Sequence, residues 1–192
     1  KKKPLAPLAS IMTRKVLLLV DWDNLFLNLF AVFNQQINLA RRLEAMQNWI
    51  QREVGELLGG YGFVFAPEHF SSIHQQMCVN LNMRLMICPK RPLEKPKRHP
   101  KTGRMITEED TVDETLIWFG TMMMRHPDIG FLCLVSGDDD YVPLFEEAAR
   151  QRVKRVLIPP TLDSLSKSKR LIMLTDKHPK TLRRMILRLD TL

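Results

Sequence analysis

Two unbroken apolar runs, each ending on a cluster of acids, constrain this chain more than any other feature. Val16 to Val20 reads VLLLV and passes straight into Asp21-Trp22-Asp23-Asn24. Phe131 to Val135 reads FLCLV and passes into Ser136-Gly137-Asp138-Asp139-Asp140. A half-exposed strand alternates polar and apolar residues. A short run without alternation, bounded by turn formers, suits a strand of a parallel sheet covered on both faces. Acids just past the carboxyl ends of such strands lie where open α/β sheets keep their ligands. Gathered carboxylates repel one another, so a hard divalent cation is the expected reason to collect them.

The rest of the chain alternates between strand and helix signals. Leu39, Leu43, Met46, Ile50, Val54 and Leu57 recur at helical spacing and predict a helix within 34–58, stopped by Gly59-Gly60. Tyr61 to Ala66 and Met83 to Cys88 read as strands, with a short helix through Gln75, Gln76 and Met77 between them. Thr107 followed by Asp110 resembles a capping box, so a helix start is expected near 107, with Val112, Leu116, Phe119 and Met123 as its buried stripe. Pro143 suits the first turn of another helix, and Val153 to Ile158 reads as the last strand. This alternation predicts an α/β fold with helices on both faces of the sheet. The expected architecture is a Rossmann-like three-layer α/β/α sandwich on a mainly parallel five-stranded sheet of order 3-2-1-4-5. That order makes the two acid-bearing strands neighbours at the switch point. Residues 1–14 read as a basic tail, 15–175 as the domain, and 176–192 as a basic C-terminal helix packed on it. Apolar positions in the C-terminal helices leave a homodimer or a protein partner open.

The formal net charge is +8 and the pI about 9.6, which points to a polyanionic partner. Between 89 and 108, Pro89, Pro92, Pro96 and Pro100 interleave with Lys90, Arg91, Lys95, Lys97, Arg98, Lys101 and Arg104. Proline at that density excludes a regular helix or a central strand, so a long basic loop is expected, and it is the candidate nucleic-acid surface. The Leu- and Phe-rich stretch from Val16 to Phe33 is interrupted by Asp21, Asp23, Asn24 and Asn28, which argues against a membrane span. The N-terminus lacks the apolar segment of a signal peptide. Cys78, Cys88 and Cys133 are scattered, without CxxC spacing, as buried thiols in a reducing compartment are. A cytoplasmic protein with no membrane partner is the expectation. The five histidines show no zinc spacing, and neither a P-loop nor a GxGxxG pattern is present.

Among the acids, Asp21 is the first candidate, since a charge between VLLLV and an apolar Leu-Phe run is costly to bury without a partner. Asp23 shares its direction only if the strand continues. Asn24 either forms a turn or hydrogen-bonds a ligand. Asp138 and Asp140 point to similar sides of an extended turn, with Asp139 turned away, and one of the three suffices as a helix cap. Ser136 and Gly137 offer hydroxyl and amide contacts. Asp113 is expected one to two turns inside its helix, beside the buried stripe. Glu108, Glu109 and Asp110 fit the first turn of that helix, where acids complement its dipole, and Asp110 is the lesser site candidate.

These residues resemble a known family. Asp21-Trp22-Asp23-Asn24 after a strand looks like its hhhD-x-x-N motif, Thr111-Val112-Asp113 resembles its helical GVD element, and Ser136 to Leu144, SGDDDYVPL, is similar to its SGDxDF-x-P-L motif. The family is the NYN domain family, LabA-like branch, within the PIN-like nuclease superfamily. The resemblance implies a PIN-like sandwich and Mg²⁺- or Mn²⁺-dependent cleavage of RNA to 5′-phosphate and 3′-hydroxyl ends. Carried over by motif, Asp21, Asp113, Asp138 and Asp140 are the metal-binding acids, with Asn24 beside them. Asp23, Asp110 and Ser136 are supplementary candidates. The chain departs from the pattern at Asp110-Thr111, where members often have Lys-Gly, and at Tyr141, where Phe is common. Two alternatives compete. One is an RNA-binding module with a degenerate site. The other is a haloacid dehalogenase-like phosphatase, with Asp21 as nucleophile and Asp23 as general acid.

Overall fold

The computed structural model describes residues 14–34, 36–98, 100, 102–178 and 183–192. Five parallel strands form the central sheet: β1 (Lys15–Asp21), β2 (Gly62–Pro67), β3 (Met83–Cys88), β6 (Ile129–Val135) and β7 (Lys154–Leu157). Their order is β3-β2-β1-β6-β7, and β4 (Arg91–Arg98) pairs with β5 (Met105–Glu109) in a separate two-stranded ribbon. With the ribbon left aside, the order is the expected 3-2-1-4-5.

Alternate residues of each central strand feed two different cores. Val16, Leu18 and Val20 of β1 pack with helices α1 (Trp22–Phe33), α2 (Leu39–Glu53) and α3 (Ser72–Asn80). Leu17 and Leu19 pack on the other side with α4 (Val112–Met123), α5 (Val142–Arg150) and α7 (Lys169–Leu174). Burial on both faces is the physical reason the strand sequence has no polar alternation. The same parity holds in β6, where Cys133 and Val135 face the first core and Leu132 and Leu134 the second. All three cysteines are free and buried. Among the described residues no helix is long and apolar enough to cross a membrane.

Several expectations need correction. A helix, α1, follows β1 at once, started by Asp21, whose side chain accepts the Asn24 N–H at 3.1 Å. Its sequence WDNLFLNLFAVF is apolar on most sides, so helical spacing did not stand out; Leu25 and Leu29 nonetheless sit one turn apart in the core. The helix expected within 34–58 is the shorter α2, capped by Asn38. The segment 89–108 is not a loop but largely a hairpin. Pro92 and Pro96 are tolerated because the ribbon has no inner strand, and Leu93–Pro96 fall in a register break between its paired ends. The Thr107–Asp110 capping box does not form: residues 105–109 are strand, and α4 starts at Val112. Residues 162–174 form two short helices, α6 (Leu162–Lys167) and α7. The C-terminal helix expected over 176–192 is absent among the described residues of that segment. Instead, Ile186 bridges Leu157 of β7, Lys177 bridges Arg184, and only a single 3₁₀ turn forms at Leu189–Thr191. The tail 1–14 lies outside the described residues except for Arg14.

Candidate active site

The strand parity that sorts the core also aims the site. Asp21 follows Leu17 and Leu19 on the α4 and α5 face, at the carboxyl end of β1 and next to the end of β6. It is buried, with 5 % of its surface exposed. Its Oδ1 accepts the Asn24 N–H, and its Oδ2 lies 3.2 Å from Ser136 Oγ and 3.0 Å from Tyr141 Oη. Burial, reinforced by the charge of Asp113, pushes the Asp21 carboxyl up from 3.8 to about 7, against the opposing effect of its hydrogen bonds.

Asp113 is the second residue of α4, in its first turn rather than one to two turns in. Its Oδ1 lies 2.5 Å from Tyr141 Oη. Asp113 is exposed, and partial desolvation of its carboxyl raises it; the Tyr141 hydrogen bond opposes the rise, and Asp138, Asp140 and Asp110 add to it. Tyr141 is fully buried, and its phenol is held well above its ordinary range by burial and by the two acids. A phenol has one proton to donate. The hydroxyl is placed to donate to either carboxylate, and the contact to Asp113 is the shorter.

The other predicted residues divide into those that face the cleft and those that build it. An open cleft of about 290 Å³ is lined by Asp21, Asp23, Asp110, Asp113 and Asp138 together with Asn24, Leu27, Asn28 and Val112. No cationic side chain is in that lining. Asn24 Oδ1 accepts the Gly137 N–H at 2.8 Å, clamping the exit of β1 to the exit of β6. Ser136 is fully buried; its Oγ accepts the Asp138 N–H at 3.2 Å and lies beside Asp21. Gly137 is required by packing: a Cβ there would stand 2.4 Å from Ser164 Cβ. Asp138 accepts the Asp140 N–H at 3.0 Å, and Asp110 accepts the Val112 N–H at 2.9 Å. Asp140 is exposed and outside the cleft lining, although its charge reaches Asp113. Asp139 turns away as expected and accepts the N–H groups of Arg170 and Leu171, anchoring the start of α7.

An all-oxygen, anionic and uncompensated donor set has the chemistry of a site for a hard divalent cation. Among the described residues no three acid, histidine or cysteine side chains stand close enough to cage an ion as they lie. Both Asp21 oxygens are hydrogen-bonded, and the Tyr141 hydroxyl sits between Asp21 and Asp113.

The basic ribbon is less uniform than its sequence. Arg91 is forked onto Glu109 at 2.6 Å and Glu114 at 2.8 Å, locking the root of the ribbon to α4. Lys90 donates its backbone N–H to Glu68. Lys95, Lys97, Arg98 and Arg104 are exposed, and Lys101 lies outside the described residues.

The residue that sequence reasoning missed is Tyr141, read there only as a mild replacement of Phe. Its one signal was the placement of a hydroxyl directly after the acidic run.

No protein-family model matches the sequence, and no curated protein is detectably similar to it. Among solved structures, a protein of unknown function, VPA0982 from Vibrio parahaemolyticus RIMD 2210633, superposes with a TM-score of 0.63 at 16% identity, over 93% of this chain and 94% of that one. This likeness is one of fold. Phosphofructokinase-2 from Escherichia coli matches with a TM-score of 0.37 at 10% identity, over 71% of this chain and 44% of that one. A PLP-bound putative aminotransferase from Clostridium difficile 630 matches with a TM-score of 0.23 at 16% identity, over 68% of this chain and 39% of that one.

Proposed function

We propose that this protein is a Mg²⁺- or Mn²⁺-dependent endoribonuclease. The observation that carries the reading is the meeting of Asp21, Asp113 and Asp138, from three distant segments, in one cleft lined by no cationic side chain. The motif resemblance to NYN nucleases supports the same assignment. A divalent cation, when bound, neutralises phosphate charge and makes water a better nucleophile. Asp21, Asp113 and Asp138 would hold it, with Asp140 within electrostatic reach. In hydrolysis a water oxygen bonds to phosphorus, the P–O3′ bond breaks, and the 3′ oxygen takes up a proton. The products are a 5′-phosphate and a 3′-hydroxyl. Asp113 Oδ2 makes no hydrogen bond among the described residues, so it is open to a ligand, while Oδ1 is held by Tyr141. Asn24 keeps the two strand ends together while this happens.

An acidic cleft repels RNA, so affinity must come from its surroundings. Lys95, Lys97, Arg98 and Arg104 on the exposed ribbon supply positive charge for phosphates, which makes binding salt-dependent.

A second reading, RNA binding without cleavage, is favoured by one observation: the Tyr141 hydroxyl engages Asp21 and Asp113 with each other. One experiment separates the two. Purified protein is incubated with labelled RNA and Mn²⁺, with and without EDTA, beside Asp138→Asn. Cleavage that EDTA and the substitution both abolish supports the nuclease. Salt-sensitive binding with no metal-dependent cleavage supports the binding module, and equal cleavage by wild type and variant rules out this site.

A further inference from the structure

A second recess adjoins the acid cleft and is lined by rings. It measures about 270 Å³ and shares Asp23 and Leu27 with the cleft as a common wall. Three segments build it. Trp22 and Phe26 stand one turn apart on α1, His69 and Phe70 follow β2, and His74 lies in the first turn of α3. Trp22 is the buried floor, stacked on Phe26 at 5.9 Å and meeting Phe70 edge-on at 4.7 Å. His74 lies 4.8 Å from Trp22 and 5.0 Å from Phe26, centroid to centroid.

An aromatic cluster that served only the core would be closed over. Here Phe26 and His74 are half-buried, and His69 is exposed. Neither imidazole makes a hydrogen bond among the described residues, and burial holds His74 below its ordinary value, so its ring is neutral near pH 7. Leu27, on the wall between the two spaces, is 63% exposed. The recess is thus an open slot with ring faces, polar ring edges, and the Asp23 carboxylate as an acceptor on one side. Its volume falls below the roughly 300–1,000 Å³ of pockets for drug-sized ligands, which scales it to a single flat ring system.

We propose that this recess is a nucleobase-stacking subsite for single-stranded RNA, taking a base next to the phosphate that enters the acid cleft. Adjacency identifies the ligand. A polymer whose phosphate is held at the carboxylate cleft through a divalent cation places a neighbouring base against the shared wall of Asp23 and Leu27. Stacking on Phe26 and His74 needs no particular base, because every base offers a π face. Single strands are selected over duplex, since a paired base is not free to enter. Asp23 is thereby assigned to substrate contact rather than to the cation. The identity of the ligand rests on the nuclease reading, whereas the ring slot does not.

The test uses the full chain and a short single-stranded RNA carrying 2-aminopurine at successive positions, with Ca²⁺ in place of Mn²⁺, so that a cation can join the phosphate to the acids, and with the strand checked on a gel to be intact. One position is expected to lose fluorescence on binding. Replacing that nucleotide by an abasic one should weaken binding about tenfold, and Phe26→Ala or the exposed His69→Ala should reduce both the quench and the affinity. The abasic strand needs no protein variant, so a variant that misfolds does not decide the matter. Quenching at no position, or equal binding of the abasic and intact strands, overturns the subsite. If the same protein still cleaves RNA with Mn²⁺, the nuclease reading survives that failure. If it quenches and binds as expected but cleaves nothing, the subsite stands and the nuclease reading falls.

Discussion

Substituting Asp21 by Asn should make the protein more stable at pH 8 while destroying the proposed chemistry. The Asp21 carboxyl titrates at 3.8 in the unfolded chain and is pushed up to about 7 in the folded one. Between those values the folded state holds a proton that the unfolded state has lost. The stability due to Asp21 is therefore complete below pH 4 and is lost as pH rises through 7. The loss comes to about 4 kcal/mol, at about 1.4 kcal/mol for each tenfold in proton affinity. Asn has nearly the same shape and never ionises. Its oxygen can still accept the Asn24 N–H, and its amide can donate to Tyr141 Oη, leaving the phenol proton for Asp113. The variant should thus gain about 4 kcal/mol over wild type at pH 8 and nothing at pH 3, a difference of about 8–16 °C in Tm for a domain of this size. Urea and thermal melts of both proteins across pH 3–8 measure it, and their difference cancels the titrating groups that do not interact with Asp21. Mn²⁺ should narrow the gap at pH 8, by about 2.7 kcal/mol at a hundredfold excess over its Kd. An Asp21→Asn protein no more stable than wild type at pH 8 would refute the reasoning.

Two further substitutions test the frame around the cleft. Tyr141→Phe removes the hydroxyl shared by two acids and should cost about 1.5–3 kcal/mol at pH 8, the usual cost of hydrogen bonds to charged groups; an unchanged urea midpoint would mean that the bridge contributes nothing. Gly137→Ala drives a Cβ to 2.4 Å from Ser164 Cβ and 3.0 Å from its Cα. Relief requires backbone movement at the exit of β6, so a loss of about 1–3 kcal/mol is expected by thermal melt, together with loss of RNA cleavage.

The sheet was legible in the sequence because its cause is local. An unbroken apolar pentapeptide has two buried faces wherever it lies, and acids placed after it come to the ligand end of a parallel strand. That reasoning reached β1, β6, their adjacency, and the meeting of Asp21 with Asp138; Asp113 came from its place on a helix and from the motif resemblance, and lies in the first turn rather than deeper in α4. Helix α1 was not legible, since an apolar helix carries no period to read. The hairpin was not legible either, because proline forbids a central strand but tolerates a free ribbon, and only the folded chain shows which of these a segment joins.

The remaining determinants of the site depend on residues far apart in the chain. Tyr141 reaches Asp21 across 120 positions and Asp113 across 28. Asn24 holds Gly137 across 113, and Asp139 anchors α7 from 32 residues before it. No local pattern encodes such pairs, since each side chain gains its partner only when the strands lie side by side. From its own order of residues this chain specified a covered parallel sheet and the acids at its rim. The packing of that sheet against α4 and α5 decided which acid is buried near neutrality, which is a clamp and which is free to meet a ligand, because burial and hydrogen bonding belong to the assembled fold.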